Sequence, residues 1–369
     1  MAGVLDADTH IAEPAAMWDY LDPEWRARRP VVVSVPEDTQ YGKADHMWLI
    51  DGSIYPRTAG KGGMLLVTPI SDERRKIMPD GASRELADIG ARLEDMARLD
   101  TDSQVVYPTL FLTWLTDDPA FEVGLCKAYN RYMAQACAKS GGKISWVVVP
   151  PLRDVEATVS ELRWGKEHGA VGVFFRGIEG DRTLDDPYFF PVYEEAQALN
   201  LTITVHQGSG SPALNALVDI QRSHTFTHGR LPPLVAFRNL VANRIPELFT
   251  GLRWGFIETG ASWVPFTLHQ LRGVFTKEAP ERWGPRLFED YHMWISYEVE
   301  EDLPYLAKII GEDHLVTGTD YGHHGIGGAP GDPSAQLNMV STLRGRDDGY
   351  SSSALDKLLI DNPRALYGM

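Results

Sequence analysis

The strongest constraint on the fold is an alternation of short apolar segments with amphipathic segments along almost the whole chain. Eight segments rich in β-branched and aromatic residues are predicted strands, at 4–8, 103–108, 143–150, 169–177, 201–207, 252–258, 291–298 and 314–320. Helical patterns lie between most of them, at 84–99, 119–139, 153–168, 187–199, 231–247, 260–275 and 301–311, and a last helix is predicted over 351–361. Apolar strands that alternate with helices are typical of a parallel sheet covered on both faces, and eight of them favour a (β/α)₈ TIM barrel.

The rest of the sequence is consistent with one domain over residues 1–369. Neither G-x-G-x-x-G after a strand nor G-x-x-x-x-G-K-[ST] occurs, so no nucleotide-binding motif supports an open doubly wound sheet. Residues 30–83 form the largest irregular insert, and within it "MWLIDGSIYPR" alternates around Asp51-Gly52. This pattern predicts a small β-hairpin after the first strand, lying over the mouth of a distorted barrel.

The charge of the chain excludes some classes of partner. With 35 Lys and Arg against 51 Asp and Glu, the formal net charge is -16, which argues against a nucleic-acid-binding surface. No apolar run approaches the roughly 18 to 20 residues of a membrane span, and no signal-peptide pattern precedes the first strand. We therefore expect a soluble, cytoplasmic protein.

Cys126 and Cys137 lie roughly 16 Å apart on one predicted helix, too far for a disulfide, and are expected to be reduced.

Potential metal ligands follow four of the predicted strands. Asp8 and His10 end the first strand, His206 ends the fifth, Glu258 ends the sixth and Asp320 ends the eighth. Because the active sites of such barrels lie at the carboxyl ends of the strands, these side chains are expected to meet at one rim. Two imidazoles with two or three carboxylates suit a divalent ion such as Zn²⁺ or Mn²⁺.

Each of these residues also has a structural interpretation when it is considered alone. A histidine such as His206 is often a hydrogen-bonded packing residue, and Glu258 or Asp320 could cap the helix that follows it. Their joint placement at one rim favours the metal site. Asp6, on the same strand face as Asp8, is expected to support the site or the fold rather than to bind the ion.

Further candidate residues follow the strand ends. Arg176, in "VFFRG", could hold a substrate carboxylate through its planar guanidinium group or form a loop salt bridge, and the sequence leaves both open. Aromatic residues that could form a pocket wall are Tyr107, Phe111, Trp114, Trp263 and Tyr321, of which Trp114 and Tyr321 are predicted to contact the substrate. Histidines that could contact the substrate or take part in catalysis are His224, His228 and His323.

Five segments together resemble the amidohydrolase-related family, a branch of metal-dependent barrel hydrolases that includes aminocarboxymuconate-semialdehyde and resorcylate decarboxylases. They are "DADTHIAEP", "VHQGSG", "LRWGFIETGASWVPF", "IGEDHLVTGTDYGHH" and "DNPRALYG", and they extend over residues 4–368. The resemblance implies a distorted barrel with one divalent ion, for which Zn²⁺ is expected ahead of Mn²⁺. It places the metal ligands on Asp8, His10, His206 and Asp320. The decarboxylases carry a histidine at the position of Glu258, so their mechanism does not transfer directly.

Two reactions on a small aromatic or cyclic substrate follow from this site. The first is hydrolysis, in which the ion activates a water molecule, Asp320 accepts its proton and Glu258 passes the proton on. The alternative is non-oxidative decarboxylation of an aromatic or muconate-like acid, with the same ligands. A barrel that binds a small molecule without catalysis is a third alternative. The resemblance, the insert and the helical C-terminus also predict a homodimer.

Overall fold

Eight parallel strands form the central sheet of the protein. The computed structural model describes residues 3–36, 38, 46–57, 68–70, 81–217, 225–275, 277–278, 280–323 and 336–369. The strands are β1 (Leu5–His10), β2 (Ser103–Tyr107), β3 (Ile144–Val148), β4 (Ala170–Phe175), β5 (Thr202–His206), β6 (Trp254–Ile257), β7 (Met293–Ser296) and β8 (Leu315–Val316). They are adjacent in chain order, and each coincides with a predicted strand.

Hydrogen bonds between β1 and the segment after β8 close the sheet into a barrel. The N–H of Asp320 donates to the carbonyl of Asp8 at 3.0 Å, and the N–H of His10 donates to the carbonyl of Tyr321 at 2.6 Å. The pairing of β1 with β2 shifts register between Asp6 and Thr9. The distorted TIM barrel predicted from the sequence is therefore confirmed.

Helices alternate with the strands and cover the barrel. Those between strands are α1 (Ile89–Arg98), α2 (Pro119–Cys137), α3 (Val155–Glu167), α4 (Phe190–Ala198), α5 (Leu231–Ala242), α6 (Val264–Val274) and α7 (Leu303–Ile310). Four of them begin where an aspartate side chain accepts a hydrogen bond from an N–H group of the first turn, namely Asp88, Asp118, Asp154 and Asp302. Helix α5 ends earlier than predicted because Arg244 adopts a left-handed conformation, with φ of 55°.

The remaining helices are short. Four lie between larger elements, at Gly81–Arg84, Pro212–Asn215, Ile245–Leu248 and Pro285–Asp290. The C-terminal region contains α8 (Met339–Arg344), α9 (Ser352–Asp356), a π-helical turn (Lys357–Asp361) and α10 (Asn362–Tyr367). Tyr367 of α10 donates its hydroxyl to the carbonyl of Ala7 at 2.7 Å, which joins the C-terminus to the first strand.

The insert after β1 forms a three-stranded antiparallel ribbon. Its strands are Val31–Ser34, His46–Ile50 and Ser53–Tyr55. The predicted hairpin turn is confirmed, since Asp51 and Gly52 both have positive φ angles, of 47° and 80°. The strand Val31–Ser34 was not predicted. The Tyr55 hydroxyl donates to the carbonyl of Trp114 at 2.9 Å, so the ribbon lies beside the carboxyl end of β2. Most of the predicted insert between 58 and 80 lies outside the described residues.

Both cysteines are buried free thiols, as expected. Within the described ranges, none of the helices combines the length and apolar character that crossing a membrane requires.

Candidate metal centre

Four buried side chains converge at the carboxyl ends of three strands. Asp8 and His10 belong to β1, His206 is the last residue of β5, and Glu258 directly follows β6. The Nε2 atom of His10 lies 3.5 Å from Asp8 Oδ1 and 3.5 Å from Glu258 Oε2. The Nε2 atom of His206 lies 3.4 Å from Asp8 Oδ1 and 3.1 Å from Glu258 Oε2. One nitrogen or oxygen of each side chain therefore faces a common point.

Asp320 and His323 extend this cluster on the side of β8. The Oδ1 atom of Asp320 lies 3.3 Å from Nε2 of His10 and 2.8 Å from Nδ1 of His323. The ring of His323 stacks on that of His10, with centroids 3.7 Å apart. His10, Glu258, Asp320 and His323 form a second group that could hold a metal ion, overlapping the first.

The atoms that face the common point lack hydrogen-bond partners among the described residues. They are Asp8 Oδ1, His10 Nε2, His206 Nε2 and Glu258 Oε2, all buried. Buried polar atoms without partners are costly, so such a group indicates a binding site. Ligands at about 2.0–2.2 Å from one ion are separated by roughly 3.0–3.5 Å, which matches the distances here. This set of donors therefore fits a divalent cation.

Backbone carbonyl groups orient both imidazoles. His10 Nδ1 lies 2.9 Å from the carbonyl oxygen of Pro108, and His206 Nδ1 lies 3.0 Å from that of Gln207. Because a carbonyl only accepts, each Nδ1 carries the hydrogen. The Nε2 atoms are left to face the cluster, as in metal sites whose histidines are held by an outer hydrogen bond.

The charges of the cluster favour a cation. Burial opposes ionisation of Asp8, but the imidazoles of His10 and His206 outweigh it and hold the pKa of Asp8 below its usual range. Burial would lower the pKa of His10, yet Asp8, Glu258 and Asp320 together raise this pKa well above its ordinary value. A positive charge, carried by a proton or a metal ion, is therefore stabilised between the carboxylates.

Glu258 and Asp320 share an unusual backbone conformation. Their φ angles are 54° and 55°, in the left-handed region that non-glycine residues seldom occupy. Residues held in this way concentrate at functional sites, where the surrounding structure stabilises them. The two turns bring a carboxylate from β6 and one from β8 into the same cluster.

The carboxylate that caps the turn before α6 belongs to Glu301. The N–H groups of Ala261 and Ser262 donate to Glu301 Oε1 at 2.9 Å and 2.7 Å. Glu258 instead accepts a hydrogen bond at Oε1 from the side-chain amide of Gln207. Of the roles left open for Glu258, the helix cap is thus taken by another residue.

Comparison with known protein families identifies the family of this chain. The amidohydrolase family matches residues 6–369, which is nearly the whole chain.

This chain belongs to the amidohydrolase family.

Among curated proteins, this amidohydrolase is similar to 2-amino-3-carboxymuconate-6-semialdehyde decarboxylase of Dictyostelium discoideum. The identity is 25% over 285 residues, which cover 71% of this chain and 76% of the relative.

Solved structures share the fold over the full length of the enzyme. An amidohydrolase of Mycobacterium avium subsp. paratuberculosis has a TM-score of 0.73 at 20% identity, covering 100% of this chain and 98% of the other. The 5-carboxyvanillate decarboxylase of Novosphingobium aromaticivorans was solved with manganese and 4-hydroxy-3-methoxy-5-nitrobenzoic acid. Its TM-score is 0.68 at 15% identity, covering 100% of this chain and 96% of the other. The 2,6-dihydroxybenzoate decarboxylase from Rhizobium has a TM-score of 0.62 at 16% identity, covering 100% of this chain and 99% of the other. At these identities the likeness shows the fold alone.

Arg176 of the amidohydrolase has the contacts of a loop salt bridge, one of the two roles left open by the sequence. Its Nη2 atom lies 2.5 Å from Glu179 Oε2, and its Nη1 donates to the carbonyl of Thr113 at 3.0 Å. A substrate carboxylate would have to compete with Glu179, so the predicted substrate role gains no support from the geometry.

The aromatic candidates lie in several places. The Tyr107 ring contacts that of His206, with centroids 4.9 Å apart. Trp114 donates its indole N–H to Asp117 and lies under the guanidinium group of Arg153. Others pack away from the cluster: Phe111 against Trp18 and Tyr129, Trp263 against Phe237 and Phe256, and Tyr321 with its hydroxyl on Asp95. Of these, Tyr107 is the one in ring contact with a predicted ligand.

The side chains of two predicted histidines are outside the described part of the structure. His224 lies outside the described residues, and only the backbone of His228 is described, in the π-helical turn Thr225–Arg230. Their predicted roles stay predictions. Asp6, as expected, supports the fold: its Oδ1 accepts from the N–H of Thr319 at 2.9 Å and its Oδ2 from the Thr319 hydroxyl at 2.7 Å.

The sequence interpretation missed two residues that contact Glu258. Gln207 follows a predicted ligand directly, and this adjacency is the signal that could have indicated it. Arg230 donates from Nη1 to the carbonyl of Glu258 at 3.3 Å and forms an ion pair with Glu298. No local pattern links Arg230 to a strand that begins 24 residues later.

Proposed function

We propose that this amidohydrolase is a metal-dependent decarboxylase of an aromatic or muconate-like carboxylic acid. The observation that carries the proposal is the buried cluster at the barrel rim, whose facing donor atoms fit one divalent cation. The reaction follows from the similarity to 2-amino-3-carboxymuconate-6-semialdehyde decarboxylase and to two decarboxylases of aromatic acids. These relatives support decarboxylation, the alternative reaction from the sequence, better than hydrolysis.

Asp8, His10 and His206, with Asp320 from the overlapping group, would hold the ion, for which Mn²⁺ and Zn²⁺ are the candidates. When bound, a divalent ion would supply positive charge that stabilises the substrate carboxylate. The chain fixes this site through Pro108 and Gln207, whose carbonyl groups hold the two imidazoles. The burial of the donor atoms excludes bulk water, which strengthens their interaction with a charged substrate.

The carbon that loses carbon dioxide must gain a proton, so that the acid anion and a proton become the product and carbon dioxide. Asp320 Oδ1 and His323 Nδ1 lie 2.8 Å apart at the edge of the cluster, close enough for the two side chains to share a proton. His323 would supply this proton, and Asp320, ionised in the resting site, would relay it to the substrate carbon. Stacking on His10 fixes the His323 ring for this role.

Hydrolysis is the second candidate, and one residue favours it. Glu258 stands where the resembled decarboxylases carry a histidine, and its Oε2 lies 3.1 Å from His206. In this case Asp320 would take a proton from the attacking water, with Glu258 as the shuttle.

A substrate panel in D₂O separates the two reactions. Hydroxybenzoates and muconate-like acids are incubated with the metal-loaded wild type, His206→Ala and, as a control, His168→Ala, which removes an exposed histidine. We expect carbon dioxide and one deuterium at the former carboxyl-bearing carbon with the wild type and the control, and neither with His206→Ala. Turnover of esters or amides without carbon dioxide release from any acid would contradict decarboxylation.

A further inference from the structure

The two carboxylate oxygens of Glu258 have different surroundings. Oε1 accepts a hydrogen bond from the side-chain amide of Gln207. Oε2 is buried, lacks a hydrogen-bond partner among the described residues, and lies 3.1 Å from Nε2 of His206 and 3.5 Å from Nε2 of His10. One oxygen is therefore fixed by the protein, and the other faces the proposed ion.

Within the described ranges, neither a helix cap nor a lysine or arginine partner accounts for the buried Glu258 carboxylate. Glu301 takes the helix cap, and the described salt bridges of Glu258 involve only the two imidazoles. Arg230 contacts the backbone carbonyl of Glu258, while its other donor pairs with Glu298. A buried carboxylate with no lysine or arginine partner needs another positive charge close to it.

Gln207 is held where it can position this carboxylate. A Cβ atom on Gly229 would lie only 2.7 Å from Gln207 Oε1, so the Gln207 amide packs closely against the Gly229 backbone. The left-handed turn at Glu258 is fixed as well, since Thr259 N–H donates to the Ser296 hydroxyl at 2.9 Å. Both the side chain and the backbone of Glu258 are thus held by neighbouring elements.

We propose that Glu258 Oε2 is a fifth metal ligand, positioned by Gln207, and that it shifts the preference of the site from Zn²⁺ towards Mn²⁺. The inference rests on the proposed metal site. Asp8, Glu258 and Asp320 together with two neutral imidazoles give three oxygen and two nitrogen donors, and three negative charges around a divalent ion. Carboxylate donors suit Mn²⁺, whereas imidazole and thiolate donors suit Zn²⁺, so a histidine at position 258 would favour Zn²⁺.

Metal dissociation constants, measured by equilibrium dialysis of the metal-free proteins with Mn²⁺ alone and Zn²⁺ alone, test this proposal. Glu258→Gln should weaken Mn²⁺ binding about 100-fold and Zn²⁺ binding less. Glu258→His should raise the ratio of the Mn²⁺ to the Zn²⁺ dissociation constant about tenfold over the wild type. Gln207→Ala should weaken Mn²⁺ binding by about 10- to 100-fold, the usual effect of losing an outer partner of a ligand.

Controls separate this inference from the metal site itself. Gln197→Ala removes a half-buried glutamine that accepts a hydrogen bond from Gly251, and should leave both dissociation constants unchanged. His206→Ala should abolish tight binding of both ions. Suppose that His206→Ala loses both ions but that Glu258→Gln and Gln207→Ala bind Mn²⁺ with dissociation constants within twofold of the wild-type value. Glu258 is then not a metal ligand, whereas the proposed metal site itself is supported. Equal losses of both ions in Glu258→Gln would overturn the selectivity. If His206→Ala binds like the wild type, the metal site is wrong.

Discussion

Ser262 donates its backbone N–H to Glu301 across 2.7 Å, so the turn that leads into α6 is capped by a carboxylate 39 residues further along the chain. Ala261 and the Ser262 side chain bind the same carboxylate. The acidic residue nearest in sequence, Glu258, is thereby left to face Asp8, His10 and His206. Glu301 therefore has a structural role in this turn, and the chemical role that we propose falls to Glu258.

This division predicts opposite effects of two substitutions. Glu301→Ala removes several hydrogen bonds to N–H groups and should lower the free energy of unfolding by about 1–3 kcal/mol, with metal binding retained. Glu258→Gln should weaken metal binding, with little change in the stability of the metal-free protein. Urea unfolding and dialysis of both variants check this. Metal loss in Glu301→Ala together with full metal binding in Glu258→Gln would reverse the assignment.

His323 should matter for the rate and not for the ion. His323→Ala removes the imidazole 2.8 Å from Asp320 that would supply the proton in the proposed reaction, so we expect turnover to fall about 100-fold, the scale of lost acid-base catalysis. The variant should still bind one ion per chain, as measured by elemental analysis. Unchanged turnover would show that the Asp320–His323 pair carries no catalytic proton.

Glu13 should make the stability depend on pH. Burial raises its pKa from 4.5 to about 7, although Oε1 accepts hydrogen bonds from the N–H groups of Thr109 and Leu110. Between pH 4.5 and about 7, Glu13 therefore keeps its proton in the folded state, whereas it has lost this proton in the unfolded state. The contribution of Glu13 to stability is complete below this window and is lost as the pH rises through it, by up to about 3 kcal/mol.

Glu13→Gln keeps the acceptor oxygen and removes the titration. Urea unfolding of the metal-free proteins at pH 5, 6, 7 and 8 should show a smaller fall in stability for this variant than for the wild type. Glu156→Gln, which changes an exposed glutamate, is the control and should follow the wild type. Parallel curves for Glu13→Gln and the wild type would show that Glu13 does not titrate in this range.

Much of the barrel could be predicted from the sequence because each strand is defined by a few consecutive residues. Each strand is a short apolar run, and the polar residues that end β1, β5, β6 and β8 meet because parallel strands carry their carboxyl ends to one rim. The ribbon strand Val31–Ser34 was missed because three consecutive valines do not alternate with polar residues. Its assignment depends on pairing with His46–Ile50.

The contacts within the site were harder to predict because they join distant segments. A carboxylate after a strand can cap a helix or bind an ion. The cap could be ruled out for Glu258 only from the structure, in which Glu301 accepts from the N–H groups of Ala261 and Ser262. Gln207 and Glu258 are 51 residues apart, and their contact depends on the adjacency of β5 and β6. In contrast, the pair of Arg176 with Glu179, three residues apart, was accessible to a local interpretation.

The measurement that tests the account most directly is carbon dioxide release during titration of the metal-free enzyme with Mn²⁺. With an aromatic or muconate-like acid that the panel identifies as a substrate, we predict no release without metal, a linear rise up to one equivalent of Mn²⁺ per chain, and a plateau beyond it. Carbon dioxide and decarboxylated product should form in equal amounts. Full release from the metal-free protein, or a plateau at two equivalents, would contradict a decarboxylase built around one ion.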